Sequence, residues 1–344
     1  MIIFNYLMKK IYFLIGVTTL FAISSCKKND GITDVTPTTP YVSDNSFKIV
    51  SYFPSYRDPA GVADAKYKMI THLFYAFLNP NPDGSLAPLE QPGRFATITQ
   101  KARANGVKTG ISVSGTSSIF VTMAASAAAR TLFVKNVLLF ARTNNLDGVD
   151  LDWEYPSTAN GSADTYLLLV KELSDSLHRH HKFLSAAITP GVYSGSIRDG
   201  LKSEVFPLVD FFNIMVYDGI GWDKEQPVQH ASYNMAVASL NYWLGTRGMP
   251  KEKAVLGIPA YGKNAANASK AYREFVAANT DTSLDYATIN GVEYFFNGTI
   301  TTKRKATLAK ERANGIMFWE FYHDDNGDKS IIKAANDALG RNYN

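Results

Sequence analysis

With 344 residues, 46% of them hydrophobic and 19% charged, the chain can bury one large core or two ordinary ones and is too apolar to stay disordered. Its net charge of +4 is spread thinly, with no basic block beyond pairs such as Lys9-Lys10 and Lys27-Lys28, so a nucleic-acid-binding surface has no footprint here. A single cysteine excludes a disulfide framework and a thiolate metal site, and neither a metal nor a cofactor is expected.

At the amino terminus Lys9-Lys10 precede an apolar run over residues 11–23, and then comes Ser24-Ser25-Cys26. A basic start, an apolar stretch too short for a comfortable span and small residues at its end read as a secretory leader over residues 1–25, not a membrane helix. The ending Ile23-Ser24-Ser25-Cys26 resembles a bacterial lipobox. That resemblance implies cleavage before Cys26, lipid on that residue and attachment to the outer membrane of a diderm bacterium, on either face. Residues 26–46 are rich in Thr and Pro, lack an apolar period and are expected to be a tether. The folded domain is expected over residues 47–341.

Beyond the tether, short apolar runs alternate with stretches of helical character. Candidate strands lie at 47–53, 69–78, 108–114, 146–154, 183–189, 209–217, 254–259 and 316–321. Apolar residues at three- and four-residue spacing predict helices at 126–144, 163–181, 230–245 and 330–339. Near-continuous apolar strands alternating with helices imply an α/β fold, and eight such units in about 300 residues imply a closed (β/α)8 TIM barrel. A doubly wound open sheet is the rival, but no Gly-x-Gly-x-x-Gly turn follows the first strand and no Walker loop is present. In a barrel of this kind the chemistry sits at the carboxyl ends of the strands.

The fourth strand carries the sharpest signal. In Leu146-Asp147-Gly148-Val149-Asp150-Leu151-Asp152-Trp153-Glu154-Tyr155-Pro156, period two puts Asp150, Asp152 and Glu154 on one face and Val149, Leu151 and Trp153 on the other. Carboxyls stacked inside a barrel cannot all ionise cheaply, so shared protons and at least one raised pKa are expected. Calcium loops also begin with alternating acids, yet they interleave polar residues and glycine rather than Val, Leu and Trp. Asp147 has the wrong parity for the ladder and is expected to cap backbone groups at the strand start. Trp153 should pack outward and Trp243 should be core. His178, His180 and His181, near a helix end, fit solvated capping better than a metal cluster. The run His323-Asp324-Asp325-Asn326-Gly327-Asp328 fits a strand-to-helix loop with Ser330 at the cap better than a calcium site.

The motif Asp-x-x-Asp-x-Asp-x-Glu, formed by Asp147, Asp150, Asp152 and Glu154, is joined by Tyr75-Ala76-Phe77, Met215-Val216-Tyr217-Asp218, Gly257-Ile258-Pro259-Ala260-Tyr261-Gly262 and Gly315-Ile316-Met317-Phe318-Trp319-Glu320. On these residues the chain resembles the glycoside hydrolase family 18 chitinases over residues 47–339. The resemblance implies retaining, substrate-assisted endo-hydrolysis of β-1,4 bonds between N-acetylglucosamine units, in which the sugar's own acetamide is the nucleophile. Glu154 is then the acid and base, Asp152 the partner of the acetamide and Asp150 a proton-sharing neighbour below. Tyr217 is expected to donate to the acetamide oxygen, Met215 to face inward beside it and Asp218 to position the sugar. Trp319 is the expected floor of the cleft, with Tyr52, Phe77, Tyr261 and Trp222 as further cleft aromatics. The expected partners are chitin or other N-acetylglucosamine-containing glycans and, through Cys26, a membrane; the chain is expected to act as a monomer.

The chain departs from the family pattern at Ser114, where glycine is usual, and at Lys263, where arginine is frequent. The interval 262–314 is short for the small α+β insertion of many relatives, so little or no insertion between strands seven and eight, and an open, shallow cleft, are expected. Two other functions compete. An endo-β-N-acetylglucosaminidase acting on N-glycan chitobiose cores shares the same acids, and a non-catalytic glycan-binding surface lipoprotein typically lacks the one at position 154.

Overall fold

The alternation of apolar runs and helical segments closes into a barrel. The computed structural model describes residues 37–343; the leader, Cys26 and the first part of the tether lie outside the described residues. The barrel strands are β1 (Lys48–Pro54), β2 (His72–Leu78), β3 (Lys108–Ser114), β4 (Gly148–Asp152), β5 (Phe183–Ile188), β6 (Phe211–Ile214), β7 (Ala254–Pro259) and β12 (Gly315–Trp319). All pair in parallel, and β12 pairs with both β7 and β1 to close the ring. Each of the eight expected strands is present. Every residue of β1, β4, β5, β6 and β7 is buried, because one face fills the barrel and the other meets the helices.

The outer layer holds α1 (Pro92–Ala104), α2 (Ser117–Ala125), α3 (Ala127–Thr143), α4 (Ser162–His178), α5 (Tyr233–Leu240), α7 (Thr299–Arg312) and α8 (Ile331–Leu339). Helices α3, α4, α5 and α8 answer to the expected ones. Ser126, Ser232 and Ser330 accept from the backbone amides of Ala129, Met235 and Lys333, which sets where α3, α5 and α8 begin. Helix α5 widens into a π-helical turn at Asn241–Thr246 rather than running straight to residue 245. Trp153 stacks on Phe120 of α2 at 5.1 Å, and Trp243 is fully buried, both as expected. Inside the barrel, Phe74, Phe183 and Phe211 fill the amino-terminal half, with ring centroids 5.6 to 6.4 Å apart.

The expectation of little or no insertion between the last two barrel strands is overturned. Between β7 and β12 lies an insertion made of β8 (Tyr261–Lys263), β9 (Ser269–Ala271), α6 (Tyr272–Ala277), β10 (Tyr286–Ile289) and β11 (Val292–Phe295), its strands forming a four-stranded sheet in the order β10-β11-β8-β9. Its strands are three or four residues long, too short for a periodic signal. The end of the expected tether is also ordered against the barrel: Tyr41 stacks on His178 at 4.2 Å and donates to Asp210, and Lys108 pairs with Asp44 at 2.6 Å.

Asp147 accepts from the backbone amide of Thr109 at 2.7 Å, the capping role its parity implied. The histidines do not converge: His178 contacts Asp210, His180 the Ser176 carbonyl and His181 the Thr39 carbonyl. His178 is three-quarters buried in its pair with Asp210, so solvated capping does not describe it. Asp324 is committed to Lys66, Ser330 and the Ile331 amide, so the loop after β12 caps α8.

Candidate active site

Register, more than sequence proximity, builds the site. Ser112 of β3, Asp150 of β4 and Ser185 of β5 are direct neighbours across the sheet and share the inner face. Asp150 Oδ2 accepts from Tyr52 at 2.9 Å and Ser112 at 2.8 Å, while Oδ1 accepts from Ser185 at 2.6 Å and Asn213 at 3.2 Å. Burial raises the Asp150 carboxyl above the ordinary range, against the pull of those donors. Both of its oxygens are thus filled by hydroxyl and amide donors, and its charge bears in turn on Asp152 above it.

Asp152 stands one rung higher and is almost fully buried. Its Oδ1 is enclosed and has no hydrogen-bond partner. Burial first, then the charges of Glu154 and Asp150, push this carboxyl well up. Glu154 continues the same parity past the end of β4 and is exposed at the mouth. The ladder therefore runs from buried and saturated, through buried and unpartnered, to open.

A cavity of about 300 Å3 surrounds Asp152 and Glu154. Trp319 and Phe77 stack along one side with ring centroids 5.8 Å apart, and Tyr52 lies tilted against the indole at 5.5 Å. Met215 and Tyr217 line it, as their shared parity implied. Burial, then Glu154 and Asp152, push the Tyr217 hydroxyl well up, so it remains a donor. Gly257 leaves room for that ring, because a side chain there would strike the Ile214 carbonyl and approach Tyr217. Asp218 also reaches the cavity. Strand β6 has ended at Ile214, and Asp218 takes a left-handed turn at φ 61°.

Asp218 is held by Tyr261, whose hydroxyl donates at 2.6 Å, and by Lys263 at 2.7 Å, while its backbone amide donates to His230 Nδ1 at 3.3 Å. Burial would raise this carboxyl, but the contacts from His230, Lys263 and Tyr261 outweigh it and hold it well below the usual carboxylate range. Lys263 thus keeps a charge partner in the site although it lacks arginine's fork. Ser114 fills its departure differently: its hydroxyl donates to the Asp152 carbonyl at 3.0 Å.

Trp222 is the one expected cleft aromatic that does not line this cavity. The loop after Asp218 folds back through a Gly221–Pro227 hydrogen bond, and the indole turns to the Val192 carbonyl at 3.4 Å. The site also takes in Ser112, Ser185, Asn213, His230 and Tyr155, to which the sequence assigns no role. Ser185 and Asn213 carried a usable signal, a lone polar residue at an inward position of an otherwise apolar strand, whereas Ser112 shares β3 with Lys108, Thr109 and Ser114. A second recess shares Tyr155, Pro190, Tyr217 and Asp218 with the cavity and extends over Tyr193, Ile197 and Arg198. Non-proline cis peptide bonds join Ala76 to Phe77, Glu154 to Tyr155 and Trp319 to Glu320, all at this mouth.

A closed parallel barrel with carboxyls climbing one strand to an aromatic-floored mouth is the architecture of a glycoside-cleaving barrel. Residues 48–324 match the glycosyl hydrolases family 18, and the chain belongs to that family. It is 30% identical to a class V chitinase of Arabidopsis thaliana, the alignment covering 83% of this chain and 88% of the plant protein. A probable endochitinase of Caenorhabditis elegans is 32% identical over 57% of this chain, which spans only 36% of the nematode protein. Among solved structures, the GH18 chitinase ChiB from the chitin utilization locus of Flavobacterium johnsoniae superposes with a TM-score of 0.72 at 26% identity, covering 85% of this chain and 94% of that one.

Proposed function

We propose that the protein hydrolyses internal β-1,4 bonds between N-acetylglucosamine units of chitin or chito-oligosaccharides, with retention and with the substrate's acetamide as nucleophile. The observation that carries this reading is the buried, unpartnered Oδ1 of Asp152 directly below an exposed Glu154. By turning about its side-chain bond, the Asp152 carboxyl can bring that oxygen to an acetamide N–H in the cavity it lines. Glu154 gives its proton to the glycosidic oxygen as the acetamide oxygen attacks the anomeric carbon and the leaving chain departs. Asp152 accepts the N–H and stabilises the oxazolinium, Tyr217 donates to the acetamide oxygen, and Asp150 holds the ladder in place from below. Water then attacks while Glu154 takes its proton, restoring the β anomer.

Cleavage of internal bonds is supported by the recess that shares Tyr155, Pro190, Tyr217 and Asp218 with the cavity and so lengthens the cleft beyond the residues around Glu154. The insertion argues against an open cleft, since its Tyr261 lines the cavity and its Lys263 pairs with Asp218. Glu154→Gln is expected to lower kcat on N-acetylchitohexaose by roughly 10³-fold while oligosaccharide binding persists. Full residual turnover in that variant, or α-anomeric first products from the wild type, would overturn the reading. Cleavage of a high-mannose glycopeptide in preference to the hexasaccharide would favour an endo-β-N-acetylglucosaminidase instead.

The protein is further proposed to be lipid-anchored through Cys26 in the outer membrane and to act as a monomer. Loss of membrane fractionation in Cys26→Ser tests the anchor.

A further inference from the structure

The insertion sheet has two dissimilar faces. On one, Phe275 of α6 stacks on Phe296 at 4.4 Å and meets Tyr294 at 5.8 Å, and a side chain at Gly262 would collide with Phe275 and Phe296. That face is the insertion's own core. On the other stand Tyr261 and Lys263, two apart on β8 and hence on the same side, both turned to Asp218. Register carries this second face away from the acids. Lys263 is opposite Phe295 of β11, and Phe295 is opposite Tyr286 of β10; directly opposed residues of antiparallel strands share a face. Lys263, Phe295 and Tyr286 therefore form one line that crosses two strand spacings, roughly 10 Å, to the free edge of the sheet.

Exposure rises along that line: Lys263 is 9% exposed, Phe295 is half-buried and Tyr286 is 49% exposed. The two rings are 6.5 Å apart and inclined by 35°. Thr288 and Glu293, another directly opposed pair on the same face, are both exposed beside them. Edge strands are commonly blunted by charge, yet β10 presents a tyrosine. The platform is anchored to the loop that carries His230, because Gln229 Nε2 donates to the carbonyls of Asp285 and Phe296 at 3.4 and 2.9 Å.

We infer that this face extends the sugar cleft, with Phe295 and Tyr286 as stacking rungs for distal units of a β-linked N-acetylglucosamine chain whose scissile bond lies at Glu154. The inference rests on the chitin reading above. The apolar faces of the sugar rings lie on the aromatic rings, and Thr288 and Glu293 meet the hydroxyl and amide groups at their rims. A substrate short enough to stay in the central cavity does not reach Tyr286, whereas a long one does.

The test is the ratio of kcat/KM on N-acetylchitohexaose to that on a chromogenic N-acetylchitobioside. In Tyr286→Ala the ratio is expected to fall about five- to tenfold, and in Tyr286→Trp to stay within about twofold of wild type. Ile300→Ala removes a side chain of similar exposure (55%) from α7 and is expected to leave the ratio in place. An unchanged ratio in Tyr286→Ala, with wild type cleaving both substrates, would overturn the strip and leave the chitin reading standing. A wild type that cleaves neither substrate would remove that reading and the strip with it.

Discussion

Two buried aspartates, one inside the barrel on β4 and one at the start of β6, each accept four hydrogen bonds, yet their surroundings shift them in opposite directions. Asp150, beneath the mouth, accepts from Tyr52, Ser112, Ser185 and Asn213 and is raised by burial. Asp210, at the base, accepts from Tyr41, Ser43, His178 and the Leu184 amide, and there burial loses: contacts with His178, Ser43 and Leu184 hold it below the ordinary value. The difference lies in the kind of donor and the depth. Asp150 has only neutral side-chain donors and two more carboxyls above it, whereas Asp210 has an imidazole and a main-chain amide near the surface. The base spends an aspartate on tying down a strap; the mouth keeps its carboxyls poised at a cost in stability.

The contrast is broken most severely at the rung between. Asp152→Asn is expected to lower kcat on chito-oligosaccharides by roughly 10²- to 10³-fold with a smaller change in KM, read by steady-state kinetics. No loss of kcat would remove Asp152 from the chemistry.

Stability across pH sharpens the comparison next. Asp210's folded value lies below its unfolded one, so its contribution is present above the unfolded carboxylate value of about 3.9 and is lost as pH falls through the folded value. Asp210→Asn should cost about 2 kcal/mol at neutral pH, the gap to wild type closing on acidification. Asp150 and Asp152 have folded values above their unfolded ones, so their contribution is present below about 3.9 and is lost as pH rises through the folded value. Asp152→Asn should therefore gain Tm relative to wild type as pH is raised. Thermal melts of both variants from about pH 3 to 8 check the two opposite slopes; parallel slopes would contradict the contrast.

The smallest effect is expected at the strap. Tyr41→Phe keeps the stack on His178 and removes the hydroxyl that donates to Asp210, for a loss of about 1 kcal/mol in denaturant unfolding. A loss as large as that of Asp210→Asn would mean that the hydroxyl, not the imidazole, holds the carboxylate.

Much of the barrel was legible because its strands are long, apolar and bounded by turns, so period and length agreed at each. The insertion was not, although one signal lay in view. Asn290-Gly291 sits between Tyr286-Ala287-Thr288-Ile289 and Val292-Glu293-Tyr294-Phe295, and both turn residues have positive φ, 51° and 77°. That dipeptide between strand-forming residues is a strong hairpin signal. Composition likewise hid the strap. Averaged over residues 26–46 the chain reads as a linker, yet Tyr41, Ser43 and Asp44 each find a partner on the barrel. Trp222 failed for a related reason: which way a loop indole turns depends on how the loop folds back, not on its neighbours in sequence.

The ladder of Asp150, Asp152 and Glu154, its inward face and its place at the end of the fourth strand follow from the sequence alone, because side chains two apart in an extended chain must share a side. The tertiary structure decided what each rung does. The donors that saturate Asp150 come from β1, β3, β5 and β6, and Lys263 reaches Asp218 from the insertion, so their meeting depends on register between segments far apart in the chain. The Oδ1 of Asp152 is left without a partner by that same closure, since Ser114, opposite it on β3, gives its hydroxyl to the Asp152 main-chain carbonyl.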